Sequence, residues 1–289
     1  MRAAKSRRAT ANQSVIYVYG VARAPRDHES AAPQLDGLVA DAPVHPLVHG
    51  NLLAFVSAVP AAQFGASEFR AALMDTEWLK ERVLAHEKVL EELRAGCDVV
   101  PFRFGTVYLG PAQVSQALAR HRDELCQALD RVEDASEWGV KLFCDRDALA
   151  SRVEAESGAI RHLRAMLDQA SPGARFFLQK KYVKALDNEV AAAIASRVGR
   201  VRQDLAACSR ESVDVEVQPP AVHGRSADMV MNAACLVPKG SLTKFKQAIA
   251  ASREELAAHG FACELTGPWP PYHFVSVRQE GIADAASDR

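Results

Sequence analysis

The sequence predicts a protein of the α+β class folded as two domains. Three features carry that expectation. The chain has 289 residues, about twice the roughly 150 that one domain commonly takes. Runs of β-branched and aromatic residues alternate with segments whose apolar residues recur at three and four, so both strands and helices are present. From Glu137 onward the elements follow the order β, long α, β, β, α, β, whereas the first half is less regular.

Val15 to Val21 (VIYVYGV) reads as a strand ending in turn residues. The Pro-, Asp- and Gly-rich segment from Pro25 to Pro46 reads as loop with a short strand near Leu38. Leu52 to Val59 is a second strand, closed by Pro60. Asp75 or Thr76 caps a long helix that ends at Gly96, with Leu79, Val83, His86, Leu90 and Leu93 on one apolar stripe. Cys97 to Leu109 (CDVVPFRFGTVYL) is expected as one strand, at a sheet edge or bulged near Pro101, because proline removes a ladder donor. Two residues apart on it, Phe102 and Phe104 would share a face. Pro111 opens a helix with the stripe Val114, Leu118, His121, Leu125, Leu129 and Val132.

The periodicity breaks at Glu133 to Ser136, which places a domain boundary there. Glu137 to Cys144 is a strand with Trp138, Val140, Leu142 and Cys144 on one face. Asp145 to Ser157 is helical, and a longer helix follows Pro172, with Val183, Leu186, Val190, Ile194, Val198, Val201 and Leu205 repeating at three or four. Val213 to Val217 alternates as a half-buried strand does. Pro219 to Gly224 is a turn, and Met229 to Val237 is apolar throughout, as for a strand covered on both faces. Ser241 caps a helix that Gly260 follows, and Phe261 to Leu265 is the last strand. This order is that of a ferredoxin-like βαββαβ sandwich, here with an extended helix. The expected organisation is a disordered basic tail (1–14), an N-terminal α+β domain (15–135), a C-terminal ferredoxin-like domain (136–278) and a frayed tail (279–289).

Composition narrows the function. The net charge is −1, with 48% hydrophobic and 25% charged residues, which argues against a broadly basic nucleic-acid binder and against extensive disorder. No apolar run is long enough to span a bilayer, and the basic N-terminus lacks the apolar core of a secretory signal. The six scattered cysteines form neither a zinc framework nor a disulfide scaffold, which fits a reducing cytoplasm. Motifs for nucleophiles, zinc hydrolases and phosphate-cradling loops are absent. His86 and His121 lie on helical stripes of the same half, so a shared metal or substrate site is one reading and two hydrogen-bonded core histidines the other. Lys180, Lys181 and Lys184 follow Phe176 and Phe177, which permits RNA contact or a plain solvated helix face.

Four stretches are more specific than this outline: Tyr17-Val18-Tyr19-Gly20-Val21; His86-Glu87-Lys88-Val89-Leu90 followed by Pro101-Phe102-Arg103-Phe104-Gly105-Thr106; Glu137-Trp138-Gly139-Val140-Lys141; and Gly267-Pro268-Trp269-Pro270-Pro271-Tyr272 running on to Val275. In this order and spacing they resemble the GvpL/GvpF family of gas vesicle proteins, from about Val15 to Val277. The resemblance implies a non-enzymatic accessory or minor structural protein of gas vesicle formation, without catalytic residues, metal or cofactor. It also implies binding to the hydrophobic shell protein and to other accessory proteins. The alternative is a small-molecule-binding protein or enzyme on a ferredoxin-like scaffold. Trp269, Pro270, Pro271 and Tyr272 form either a rigid apolar platform for a partner or packing at the end of the last strand. Phe102 and Phe104 pose the same choice.

Overall fold

The computed structural model describes residues 14–25 and 35–275. The expected tails, apart from Ser14, lie outside the described residues. The fold is α+β, with two sheets in two compact units: the chain up to Ala135 together with the segment from Trp269 onward, and Ser136–Pro268.

The first unit is organised around β1 (Ser14–Arg23), which lies between β3 (Leu52–Pro60) on one side and the short β4 (Val100–Pro101) and β5 (Val107–Tyr108) on the other; β2 (His45–His49) flanks β3. β1 and β3 run antiparallel from Ser14 opposite Pro60 to Arg23 opposite Leu52, with a register shift between Val18 and Gly20. Every residue of β1 from Val15 to Ala22 is buried, so the strand is covered on both faces. Gly20 permits the close approach of the next strand: a Cβ there would lie 2.6 Å from Val99 Cγ1 and 2.8 Å from the Val100 carbonyl oxygen.

Two expectations for this half are corrected. The short strand is His45–His49, paired with β3, and Leu38 is instead a buried coil residue whose N–H donates to the Tyr19 hydroxyl at 3.0 Å. Cys97 to Leu109 is not one strand. β4 and β5 both pair with β1, and Phe102 to Thr106 loops out between them in a turn at Phe104 and Gly105. Bonds from the Phe102 N–H to the Tyr19 carbonyl at 2.8 Å and from the Val18 N–H to the Thr106 carbonyl at 3.0 Å flank it.

The helices of this unit are α1 (Ala61–Phe64), α2 (Ala66–Ala72), α3 (Thr76–Gly96), α4 (Pro111–Arg120) and α5 (Arg122–Val132). Asp75 caps α3, its carboxylate accepting from the N–H groups of Glu77 and Trp78 at 3.1 Å. The single helix expected after Pro111 is broken at His121 (φ −102°, ψ 19°). Its apolar stripe survives the break, since Val114, Leu118, His121, Leu125, Leu129 and Val132 are all buried.

The second unit has the sheet order β7-β8-β6-β9, with β6 (Ala135–Cys144), β7 (Glu211–Asp214), β8 (Asp228–Pro238) and β9 (Phe261–Trp269). Its helices are α6 (Arg146–Glu156), α7 (Gly158–Asp168), the 35-residue α8 (Pro172–Ala206), α9 (Pro220–His223) and α10 (Leu242–Ala257). Trp138, Val140, Leu142 and Cys144 point into one core with Val190, Ile194, Val198, Phe245 and Ile249. Helix α7 is an addition to the sequence reading; Ser157 caps it, its Oγ accepting from the Ile160 N–H at 3.2 Å. The expected turn after Pro219 is helical, β9 runs on through Trp269, and Ser241 makes no side-chain cap. At the start of α8, Tyr182 rather than Val183 faces inward. Spacings of four connect Tyr182, Leu186, Val190, Ile194 and Val198 on one face, which leaves Val183 out of phase.

Replacing Gly20 with alanine is expected to destabilise the protein by about 1–3 kcal/mol through overpacking. The control Gly199→Ala, in α8 with no atom near the new methyl, should be neutral or stabilising by up to about 1 kcal/mol. Urea unfolding of the two variants makes the comparison; equal stabilities would contradict the close approach at Gly20.

Candidate functional site

The residues of three of the four distinctive stretches meet in the first unit. Tyr17 and Tyr19 alternate with Val18 on β1 and so project to one face of the sheet, their ring centroids 5.0 Å apart. Helix α3 lays His86 across them. The imidazole stacks on Tyr19 (5.7 Å, 19° between planes) and meets Tyr17 edge-on (5.7 Å, 73°). Phe104 closes over His86 at 5.9 Å and over Phe69 at 5.8 Å, and Phe64 and Trp78 extend the aromatic cluster. Gly105 makes the turn possible: its φ of +88° disfavours any side chain, and a Cβ would lie 2.5 Å from the Phe69 ring.

A chain of hydrogen bonds runs through this apolar setting. The Gly105 N–H donates to the Tyr17 hydroxyl oxygen at 3.1 Å, and that hydroxyl lies 2.9 Å from His86 Nδ1. On the other side of the ring, His86 Nε2 lies 3.3 Å from the Tyr272 hydroxyl, which donates to Glu87 Oε1 at 2.9 Å. Each phenol has one proton to give. Tyr272 gives its own to Glu87, so it accepts from Nε2–H, and Nδ1 is left to accept from Tyr17. The neutral Nε2–H tautomer therefore satisfies every group in the chain. A second branch fixes Tyr19, whose hydroxyl lies 3.0 Å from Ser57 Oγ; Ser57 in turn donates to the carbonyls of Ala42 and Pro43.

Burial sets the electrostatics. His86 is fully enclosed, and desolvation lowers its pKa to about 4, with a backbone hydrogen bond at Phe102 opposing part of the shift. Burial likewise raises the phenols of Tyr17 and Tyr19. It also raises the Glu87 carboxyl, against the Tyr272 hydrogen bond and the Arg94 charge. The arrangement is a relay around a neutral imidazole, with both ring nitrogens spent on other segments of the chain.

The residues singled out from sequence are distributed unevenly around this cluster. Tyr272 is half-buried within it, while Pro270 and Pro271 are buried beside it. Trp269 keeps 48% of its surface exposed. Phe104 packs into the cluster and Phe102 does not. Phe102 lines the other face of the sheet with Val18, Tyr108 and Val114, so the expected shared face is corrected: the turn after Pro101 rotates the two rings apart. His121 is on that other face too, against Val18 and Leu125, with Nδ1 3.2 Å from Glu124. His86 and His121 are therefore separated by the sheet and form no common site. Among the described residues no group of three or more His, Cys, Asp or Glu side chains is placed to hold a metal ion, and no helix is long and apolar enough to cross a membrane. All six cysteines are free; burial pushes the Cys235 thiol up to about 12, consistent with a small core hydrophobe.

Ser57 lies in none of the distinctive stretches, and Glu87 and Gly105, which do, carry no role of their own in the sequence reading. Glu87 follows the stripe residue His86 directly, which is a usable signal, but its partner Tyr272 is 185 residues away.

A histidine whose folded pKa lies below its unfolded value of about 6.5 stabilises the fold fully above that value. The contribution is lost as pH falls through 6.5 toward 4, because the unfolded chain takes up the proton first. The protein should lose about 2 kcal/mol from this source between roughly pH 7.5 and pH 5. In His86→Phe that part of the pH slope should vanish, whatever the absolute stability of the variant. Denaturant titrations of both proteins at the two pH values measure it, and equal slopes would contradict the assignment. Tyr272→Phe removes the link to Glu87 and should cost about 1–2 kcal/mol at neutral pH.

Residues 15–276 match the family model described as gas vesicle synthesis protein GvpL/GvpF. The chain is 30% identical over 268 residues to gas vesicle protein L of a Streptomyces species, covering 92% of this chain and 94% of that one. It is 29% identical over 260 residues to gas vesicle protein F of the same organism, covering 90% and 98%. The fold is similar to crystal structures of GvpF from Anabaena (TM-score 0.71, 19% identity, 92% of this chain and 100% of that one) and from Microcystis aeruginosa (TM-score 0.64, 20% identity, 91% and 99%). A match that spans β1, α3, the Phe102–Thr106 turn and Tyr272 takes in all the segments joined at the His86 cluster, and the chain belongs to the gas vesicle GvpL/GvpF family.

Proposed function

We propose that the protein acts in gas vesicle formation as a non-enzymatic accessory or minor structural component that binds the hydrophobic shell protein and other accessory proteins during assembly. The observation that carries this reading is family membership over nearly the whole chain. A shell subunit with a large apolar face aggregates until another surface covers it or it joins the wall, and a holding protein supplies that cover without chemistry. The enclosed His86 supports a structural use of the distinctive residues, since both ring nitrogens are bound within the fold. In this reading the two domains divide near Ser136, the second a ferredoxin-like sandwich; the sheet order β7-β8-β6-β9 is the order that such a split βαβ unit requires. Its setting is the cytoplasm, at the vesicle.

Of the six residues considered for partner contact, Trp269 offers the largest aromatic anchor. Phe102, Pro270 and Pro271 are buried, and Phe104 and Tyr272 pack in the His86 cluster.

Deleting the gene should abolish intact vesicles, and the wild-type protein should co-purify with the shell protein. Trp269→Ala should weaken co-purification about tenfold with unchanged thermal stability. Normal vesicles in a strain with no second family member would overturn the reading.

A further inference from the structure

We propose that the exposed face of the first four turns of α8 is a docking surface for an acidic amphipathic helix of a partner protein. Helices α7 and α8 pack as a hairpin; the Tyr182 ring lies under Arg164 of α7 at 5.6 Å, and its hydroxyl donates to Glu154 of α6. With Tyr182 and Leu186 turned inward, the opposite side of α8 presents Phe176 (59% exposed), Phe177 (72%) and Val183 (44%). Phe176, Lys180, Val183 and Asp187 follow one another at four, three and four along one stripe. Gln179, Lys180, Val183, Lys184, Asp187 and Asn188 line a shallow groove of about 370 Å³ there. Val183 is the apolar residue of this groove, and the other lining side chains are charged or amide. With the exposed Phe176 and Phe177 two turns before it, they make a mixed apolar and charged face against which an amphipathic helix can lie.

Charge identifies the occupant. From Gly158 to Asn188, the end of the groove, the hairpin carries Arg161, Arg164, Arg175, Lys180, Lys181 and Lys184 against two carboxylates, Asp168 and Asp187, in a chain whose net charge is −1. Arg164 is paired with Asp168 at 3.7 Å; Lys180, Lys184 and Asp187 border the groove. A partner helix with carboxylates one turn apart would meet these two ammonium groups while its apolar side chain covers Val183. Nucleic acid fits less well. The face of Phe176 is already occupied by the Lys180 ammonium at 4.6 Å, and Phe177 stands edge to it at 79°, so neither ring presents the open stacking platform that bases need. An anionic lipid surface requires a continuous apolar face; here Lys180 separates Phe176 from Val183, and Asp187 closes the groove.

The proposal is independent of the vesicle reading, because the test uses the purified full chain. A fluorescent helical peptide of about five turns, with glutamate and leucine at spacings of four, is titrated with the protein and its anisotropy followed. Parallel titrations use a scrambled peptide of the same composition, the lysine-for-glutamate counterpart, single-stranded RNA and phosphatidylserine vesicles. The acidic amphipathic peptide should bind at least about tenfold more tightly than either control peptide, and the affinity should fall as salt rises. Phe176→Ser with Phe177→Ser, and separately Lys180→Glu with Lys184→Glu, should each weaken it about tenfold while the circular dichroism spectrum is unchanged. Equal affinity for the scrambled peptide, no binding, or RNA or vesicle binding that the same substitutions abolish would each overturn the assignment.

Discussion

A histidine with no solvent exposure sets the terms of the first unit. His86 sits in an aromatic enclosure, where an unmet ring nitrogen would cost about 1–3 kcal/mol. Satisfying Nδ1 requires Tyr17 on β1, and through it the Gly105 turn. Satisfying Nε2 requires Tyr272, which Glu87 holds in place. Three segments far apart in the chain are thereby held to one imidazole. The tolerance is small: Gly20 and Gly105 both lie where a methyl group would collide with its neighbours.

This enclosure also decides what the cluster does. A group meant for acid–base work near neutrality needs a pKa near the working pH; burial lowers that of His86 to about 4 and keeps the ring neutral. The carboxylate of Glu87 is spent on Tyr272. The side chains of the cluster are engaged in joining segments of the fold to one another, in a chain that belongs to a family named for gas vesicle synthesis.

Much of the architecture was legible from local pattern. The Asp75 cap, the four inward residues of β6 and the order of elements after Glu137 all follow from spacing alone. What failed was less local. Phe102 and Phe104 part company because the chain leaves the ladder after Phe102 and turns at Gly105, where φ is +88°, which no period of two reveals. Tyr182 displaces Val183 because a phenol can reach Glu154 from the inward position, and that partner belongs to another helix. The His86 cluster itself was visible only as separate motifs. Their meeting depends on a contact across 186 residues, for which the sequence carries no spacing signal.

The tautomer and charge of His86 test the central claim most directly. Ring-nitrogen NMR of the folded protein, with the histidines labelled and His86 assigned by comparison with His86→Phe, should show a neutral Nε2–H imidazole that holds its shifts as pH is lowered from about 8 to about 5. A ring that titrates near 6.5, or one that carries its proton on Nδ1, would contradict the account.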